Sequence, residues 1–385
     1  MLKTDVLGQN SITESLSLGW PDVDLGCPIE GLSGEPLISA LASSRFQSLV
    51  IPQTFGGSGA TLLELAAAQR AIARVDASAA IALNMHSLSV GLMVQHWQRN
   101  QDTSWFLLEG LVDQHALVAS AFAERGSSSN LLQAGMLATP STDGYVLNGR
   151  KYPCSLASSA RLYCFSARAS GTGNTIVGLC PANAPGIVVG ETWNAIGMRA
   201  SDTRSIEFHN VEVDRRLVFY TAAPSDLDDL AVTGIAWFAV LMGSTYHGLL
   251  TELVSIGLTS LQPRADNHRT ASAVRAAAGR AAGALVVLGG ALRDSARLFD
   301  DPDLLARPML TVALALRSMV SRVVDEVASS SRVLLGSRAY ASNERVAQLL
   351  LDAFAAHHHP PSLAVVDDLI ASALVDEELT LEVER

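Results

Sequence analysis

The feature that most constrains the fold of this chain is the order in which its residue pattern changes. From Leu37 to about Ala116, apolar residues return every three or four positions, which predicts α-helices. Near Leu117 the pattern becomes short β-rich runs separated by turn signals, and from Asp226 onward long Ala/Leu/Val helices return. We therefore predict an α+β multidomain protein with an N-terminal α-helical domain (1–116), a middle β domain (117–225) and a C-terminal helical bundle (226–385).

Local signals refine this division. The stretch PQTFGGSG (52–59) separates the first two predicted helices, because paired glycines allow backbone conformations that other residues disfavour. The dipeptides DG (143–144) and NG (148–149) predict tight turns between strands of a barrel or a sandwich.

Composition excludes several classes of protein. A content of 49% hydrophobic and 17% charged residues is ample for a large core. A net charge of −11, with no dense Lys/Arg block, argues against binding to nucleic acid. The longest apolar runs, from Ala231 and Ala281, fall short of the roughly 20 residues that span a bilayer, so we interpret them as buried helices. With no signal-peptide pattern and no CxxC spacing, we expect a cytoplasmic protein with no membrane partner and no metal.

Three motifs follow one another in a characteristic order: PQTFGGSG (52–59), GYVLNGRKY (144–152) and IGMRASDTRSIEFHNVEV (196–213). With these motifs, the chain resembles the acyl-CoA dehydrogenase family of flavoproteins over roughly residues 37–362. The resemblance implies an N-terminal all-α domain, a middle β-barrel domain and a C-terminal four-helix bundle. It also implies FAD in the crevice between the last two, and a homo-oligomer, either a dimer or a tetramer.

The resemblance also assigns cofactor contacts. AERGSSSN (123–130) occupies the place of the family's flavin-binding segment, so Ala123 and Ser129 are expected at the cofactor and Asn130 at the substrate. After Lys151, Pro153 replaces the family's tryptophan, and Ser155 keeps a hydroxyl that is able to tune the flavin. The family's R-x-x-F-G motif for the FAD diphosphate is missing, which leaves open weaker FAD binding or delivery of reduced flavin by a flavin reductase.

The family's catalytic glutamate is also missing. Acyl-CoA desaturation needs a carboxylate that removes the α proton. In most of the family this residue lies in I-Y-E-G-T, where the present chain has Pro360. In a minority it lies on the first helix of the bundle, where the chain has Trp237, which we assign to the substrate site; Glu252, further along this helix, is about four turns away.

Three consecutive histidines, 357–359, stand beside this position. Neighbouring residues on a helix point about 100° apart and two prolines follow, so the three cannot converge on one metal ion. His357 and His358 are expected at the solvent-facing helix end. His359 has the spacing after Asp352 at which flavin monooxygenases of the same fold carry a histidine. The resemblance therefore implies that it hydrogen-bonds a flavin hydroperoxide or acts as an acid or base.

Two further residues are candidates. His86 lies on an apolar helix where the family often has a histidine near the substrate channel, and it is either catalytic or a core histidine with satisfied hydrogen bonds. Ser362 takes the place of a threonine that contacts the flavin.

These assignments lead to one main hypothesis and two alternatives. The first is an FAD-dependent oxidoreductase that acts on an acyl thioester, bound to CoA or a carrier protein, with atypical acid/base residues, in specialised metabolism. The second is a reduced-flavin monooxygenase that uses O2. The third is a flavoprotein scaffold or redox-neutral catalyst.

Overall fold

The computed structural model describes residues 16–124, 134–223, 229–259, 268–301, 304–339 and 344–374. Within these ranges the predicted order of helices, strands and helices is confirmed.

The N-terminal part is helical. Its helices are α1 (Gly34–Ala42), α2 (Leu62–Val75), α3 (Ala77–Asn100) and α4 (Trp105–Asp113). Helix α2 begins with a capping box between Thr61 and Glu64. The Asp76 carboxylate accepts the first free amides of α3, those of Ser78 and Ala79, and also the Gly34 amide at the start of α1. One side chain thus fixes the start of two helices.

The middle part is one sheet of eight strands. They are β1 (Val118–Ala121), β2 (Leu137–Pro140), β3 (Gly144–Cys154), β4 (Leu162–Ala169), β5 (Thr175–Pro181), β6 (Ile187–Val189), β7 (Arg204–Asp214) and β8 (Val218–Ala222). The pairing order is β6-β7-β3-β2-β4-β5-β8, and β1 lies parallel to β4. Both β1 and β2 pair with β4, so the end of β1 is brought next to the middle of β3.

The two predicted turns differ in the structure. Gly144 ends a tight turn between β2 and β3, as predicted. The prediction of a second turn at Asn148–Gly149 was wrong: both residues lie inside β3, where the register with β7 shifts. Gly149 has φ +152°, and a Cβ there would lie 2.7 Å from the Met136 side chain. Glycine is required for a bulge rather than for a turn.

The C-terminal part returns to helices: α5 (Asp229–Thr259), α6 (His268–Phe299), α7 (Ala306–Leu335), α8 (Glu344–Phe354) and α9 (Leu363–Leu374). Helix α5 is buried along most of its length and packs against α2, α3, α6 and α7. It therefore joins the N-terminal helices and the bundle into one core.

The expectation that the apolar segments are too short to span a bilayer was wrong. Helix α3, helix α5 and Ser272–Phe299 of α6 are each long and apolar enough to do so. These helices are longer than the apolar runs of the sequence because they also include polar residues. Thr251 is one example: its hydroxyl donates to the His247 carbonyl one turn earlier. The apolar windows of α3 and α5 are 94% and 100% buried against protein, whereas that of α6 is 33% buried. Burial accounts for the apolar character of α3 and α5.

Candidate active site

A cavity of about 380 Å³ lies where the N-terminal helices, the β domain and the bundle meet. Most of its lining is apolar, and this is typical of small-molecule sites. Its apolar side chains include Ile81, Met85, Leu88, Phe122, Trp193, Ile196, Ile235, Phe238, Leu351 and Phe354. Four of the predicted site residues also line it: Ala123, Pro153, Ser155 and His359.

The β-domain wall carries a row of hydroxyl groups. Ser155 Oγ lies 2.8 Å from Thr203 Oγ1, which lies 2.7 Å from Ser201 Oγ. Ser201 donates in turn to the Met198 carbonyl at 2.7 Å. All three hydroxyls belong to residues that line the cavity, so this wall offers polar groups held in fixed positions.

A buried ion pair supports the same wall. Lys151 is fully buried, and its Nζ donates to Glu124 Oε1 at 2.6 Å. Glu124 also accepts the amides of Gly135 and Met136 at 2.8 and 3.0 Å. Burial lowers the pKa of Lys151 to about 8, while the ammonium beside Glu124 and the two amides lower the pKa of that carboxyl. The pair fixes the chain immediately after Ala123 against β2 and β3.

A loop of the β domain touches the bundle at the cavity rim. The Met198 amide donates to Asp352 Oδ1 on α8, and the Gln348 side chain donates to the same oxygen at 2.7 Å. A Cβ at Gly197 would lie 2.4 Å from the Leu351 carbonyl oxygen, so only glycine allows this approach. Burial raises the pKa of Asp352. Asp352 therefore fastens the two domains together and does not line the cavity.

The bundle wall presents His359. Its Nε2 lies 2.7 Å from the Tyr246 hydroxyl of α5, and the Phe238 ring meets the imidazole edge to face at 5.9 Å. Burial, the nearby Arg317 guanidinium and His358 lower the pKa of His359 to about 3. The imidazole is therefore neutral at physiological pH.

Arg317 holds the main chain of this histidine. It is 1% exposed and donates from Nη2 to the His359 carbonyl at 2.8 Å and from Nη1 to Ser321 Oγ at 2.6 Å. Its Nε is buried without a hydrogen-bond partner, and no carboxylate pairs with it within the described ranges. Burial lowers the pKa of Arg317.

The three consecutive histidines have three different surroundings. His357 Nε2 lies 3.0 Å from Asp325 Oδ1, His358 lies against the Phe354 ring, and His359 contacts Tyr246. The three imidazoles thus contact three different groups. Among the described residues, no group of three or more His, Cys, Asp or Glu side chains is arranged to hold a metal.

His86 is placed differently from its predicted catalytic role. It is 2% exposed and is not among the residues that line the cavity. One ring nitrogen lies 2.8 Å from the Gln47 carbonyl, and the other accepts the Val118 amide at 3.1 Å. Burial lowers its pKa to about 4. The structure thus supports the alternative of a core histidine, which ties the N-terminal helices to β1.

Two further predicted residues, Trp237 and Ser362, do not line the cavity. Trp237 is 2% exposed and packs on Gly91 of α3 instead of facing the cavity. Ser362 is exposed and accepts the Ala364 amide at the start of α9. Ser129 and Asn130 lie outside the described residues.

Neither acid nor thiol chemistry is evident in the described lining of the cavity. Glu252, on the same helix as Trp237, pairs with Arg74 at 3.5 Å and does not line the cavity. Burial raises the pKa of the Cys154 thiol to about 12, so Cys154 is a packing residue rather than a nucleophile.

The residues of the cavity fit a planar flavin ring. The apolar walls suit the faces of such a ring, and the hydroxyls of Ser155, Ser201 and Thr203 suit its polar edge. Trp193 also lines the cavity, and its Nε1 is a buried donor without a partner in the described structure. This donor on the cavity wall is therefore available to a bound ligand.

Sequence reasoning missed Tyr246, Arg317 and Trp193. Tyr246 lies in the run LMGSTYHGLL and Arg317 in LALRSM, where a polar residue on a mostly apolar helix was the only available signal. Such a residue usually has a buried partner, but the sequence does not reveal which one.

The comparisons with known proteins agree with this architecture. Residues 30–106 match "Acyl-CoA dehydrogenase, N-terminal domain" and residues 119–211 match "Acyl-CoA dehydrogenase, middle domain". Isobutylamine N-hydroxylase from Streptomyces viridifaciens is 26% identical over 340 residues, covering 85% of this chain and 86% of that protein. Amino sugar nitrososynthase DnmZ from Streptomyces peucetius is 31% identical over 320 residues, covering 78% and 76%.

A solved structure shows the same fold. The structure of KijD3 in complex with FMN and dTDP-3-amino-2,3,6-trideoxy-4-keto-3-methyl-D-glucose superimposes with a TM-score of 0.79 and 23% identity. It covers 96% of this chain and 91% of that one. The matches to two domains, together with relatives that are similar along most of their length, show that the chain belongs to the acyl-CoA dehydrogenase superfamily of flavin-dependent oxidoreductases.

Proposed function

We propose that the protein is a reduced-flavin-dependent monooxygenase that hydroxylates the nitrogen of a small, largely apolar amine. One observation carries this proposal. At the place where a dehydrogenase needs a carboxylate the chain has Pro360, and the neighbouring His359 lines the cavity. No Asp or Glu belongs to the cavity lining among the described residues. The N-hydroxylase and nitrososynthase relatives, which match most of the chain, support the same chemistry.

The reaction balances without a catalytic carboxylate. The amine, O2 and a reduced flavin give the hydroxylamine, water and oxidised flavin. When bound, the flavin supplies the two electrons that reduce O2. One oxygen atom forms the new N–O bond and the other leaves as water with the two protons released.

The charge of the cavity favours the free base of the amine. An amine needs its lone pair to form an N–O bond, so the ammonium form is unreactive. Burying an ammonium without a counter-ion is costly, and the described lining offers no carboxylate. The apolar walls therefore bind the neutral amine by its carbon skeleton and leave the nitrogen lone pair free.

The residues of the two walls have separate roles. The hydroxyls of Ser155 and Thr203 orient the polar edge of the flavin, while Phe238 and Phe354 exclude water from the reacting side. His359 is a neutral hydrogen-bond donor or acceptor on the reacting side of the cavity. Because its pKa is low, it does not take up a second proton near neutral pH.

For the cofactor we propose reduced FMN, supplied by a separate flavin reductase, rather than FAD. The R-x-x-F-G motif that binds the FAD diphosphate in the family is missing from the sequence. The KijD3 structure, which shares the fold, contains FMN.

The alternative is dehydrogenation of an acyl thioester, and it is favoured by the two domain matches. It requires a base, and His359 is a weak one because of its low pKa.

One experiment separates these functions. The purified protein is supplied with reduced FMN or reduced FAD, O2 and a set of apolar amines, and hydroxylamine is measured by mass spectrometry with ¹⁸O2. We expect one ¹⁸O atom in the product, tighter binding of FMN than of FAD, and a loss of at least about 100-fold in hydroxylation in His359→Ala with unchanged flavin affinity, as for loss of one donor to developing negative charge. Anaerobic bleaching of the oxidised flavoprotein by an acyl thioester, without hydroxylamine formation, would show that the protein is a dehydrogenase.

A further inference from the structure

We propose that Tyr246 and Arg317 are positioning residues that hold His359 as a neutral imidazole with its proton on Nδ1, so that Nδ1–H is the donor offered to the cavity. The catalytic meaning of this arrangement rests on the proposed function, but the tautomer itself does not.

The Tyr246 hydroxyl determines which nitrogen carries the proton. Tyr246 is fully buried, and its hydroxyl has one hydrogen-bond partner in the described structure, His359 Nε2 at 2.7 Å. If Nε2 carried the proton, it would donate to the phenol oxygen and leave the phenol proton buried without an acceptor. A buried polar group without a partner costs about 1–3 kcal/mol. The phenol therefore donates to Nε2, and the imidazole proton is on Nδ1.

Protonation of the phenol supports this direction. Burial raises the pKa of Tyr246 well above its ordinary value; Asp352 raises it further and Arg317 opposes this, but the net shift is upward, so the phenol keeps its proton. His359 Nδ1 has no partner among the described residues, although the side chain lines the cavity. Nδ1 is therefore the nitrogen left for a ligand.

Arg317 fixes the position of the ring and its charge. Its hydrogen bond to the His359 carbonyl holds the main chain at the point where two prolines follow. The titratable and charged groups around the imidazole are Tyr246 on α5, Arg317 on α7 and the neighbouring His358. Arg317 and His358 both disfavour a second proton, and the neutral phenol does not offset them.

A fixed neutral donor differs from a general acid. It stabilises negative charge that develops on oxygen beside it, but it does not give up its proton at neutral pH. We therefore expect Tyr246 to protect the coupling between O2 consumption and hydroxylation, because oxygen not held by the donor is released as hydrogen peroxide.

The tautomer is measured by two-bond ¹H–¹⁵N correlation spectra of the ¹⁵N-labelled protein without flavin, with the His359 signals among the nine histidines assigned by His359→Gln. We expect wild-type His359 to carry its proton on Nδ1 from pH 5 to 8. In Tyr246→Phe, the form protonated on Nε2 should become detectable. Thr251→Val is the matched control, because Thr251 is a buried hydroxyl on the same helix that bonds only its own helix, and the tautomer should be unchanged.

The charge effect is measured by the same spectra on two variants of Arg317. In Arg317→Met, the midpoint of His359 protonation should rise, whereas in Arg317→Lys, which keeps the charge, it should stay near the wild-type value. A wild-type signal protonated on Nε2, a tautomer unaffected by Tyr246→Phe, or equal midpoints in wild type and Arg317→Met would overturn the proposal.

Turnover then links the tautomer to the proposed function. In Tyr246→Phe, we expect the fraction of consumed O2 released as hydrogen peroxide to rise several-fold with unchanged affinity for reduced FMN. If amine hydroxylation fails in the wild type while the spectra agree, the proposed function is wrong and the tautomer assignment stands. If hydroxylation occurs while the spectra disagree, only the tautomer assignment is wrong.

Discussion

Two buried cations support opposite walls of the cavity, and they differ in their hydrogen-bond partners. Lys151, behind the β-domain wall, donates to the Glu124 carboxylate and two further oxygens. Arg317, behind the bundle wall, is also buried, but among the described residues it donates hydrogen bonds only to a carbonyl and a hydroxyl. Both charges are removed from water, yet only Lys151 has a counter-ion in the described structure.

This difference indicates that Lys151 and Arg317 have different roles. A paired charge in a complete hydrogen-bond set stabilises local structure and has little electric influence beyond it. An uncompensated charge costs stability, and its field reaches the neighbouring groups, here His359. Lys151 therefore gives the β-domain wall rigid support, whereas Arg317 on the bundle wall influences the protonation of His359. The following experiments test this contrast.

Loss of the Lys151 ammonium should have the largest effect. Lys151→Met leaves the Glu124 carboxylate half-buried without its partner, so we expect the free energy of unfolding to fall by about 3–5 kcal/mol. Urea unfolding measures this change. The double variant Lys151→Met/Glu124→Gln is the control and should be less destabilised than the single variant, because no unpaired charge remains. A single variant as stable as wild type would contradict a structural role for the ion pair.

The two histidines differ in the same way: His86 has a structural role, whereas His359 lines the cavity. The acid stability of the protein tests the role of His86. His86 is buried neutral with a pKa of about 4, so below pH 6.5 the unfolded chain binds a proton that the folded chain does not, and stability falls until the pH reaches about 4. Between pH 7 and pH 5 this residue should cost about 2 kcal/mol.

His86→Gln keeps one donor and one acceptor but does not titrate. The loss of stability between pH 7 and pH 5 should therefore be smaller in this variant by that amount, while hydroxylation at pH 7 by the folded variant stays within about twofold of wild type. An unchanged loss would show that His86 is protonated in the folded protein, and a large loss of activity would return it to the active site.

Replacement of Arg317 should have the smallest effect on stability. Arg317→Met removes an unpaired buried charge but leaves the His359 carbonyl and Ser321 hydroxyl without a donor, and these changes oppose one another. We expect the free energy of unfolding to change by less than about 1 kcal/mol, measured by urea unfolding beside Lys151→Met. A loss as large as that of Lys151→Met would remove the distinction between the two walls.

Much of the fold could be predicted from local pattern. The change from helical to strand periodicity located the three parts of the chain, because that signal depends only on residues close in sequence. His359 was expected at the flavin because the family resemblance assigns a histidine at this spacing from Asp352, and it lines the cavity just after the short turn Ala355–His358 that follows α8.

The partners of these residues could not be predicted in the same way. Tyr246 and Arg317 are 113 and 42 residues from His359, and their contacts depend on how three helices pack. Trp237 was expected at the substrate, but its ring packs on Gly91, a contact that depends on how α3 and α5 pack. The NG dipeptide has the same letters in a turn and in a bulge, and only its pairing with β7 distinguishes them.

The close approach of Gly197 to the Leu351 carbonyl determines the width of the cavity at its rim. Main chain from the two sides meets here with no side chain between, and the bond from the Met198 amide to Asp352 prevents the gap from opening. We therefore expect the cavity to keep a fixed width at this point and to select ligands by their thickness.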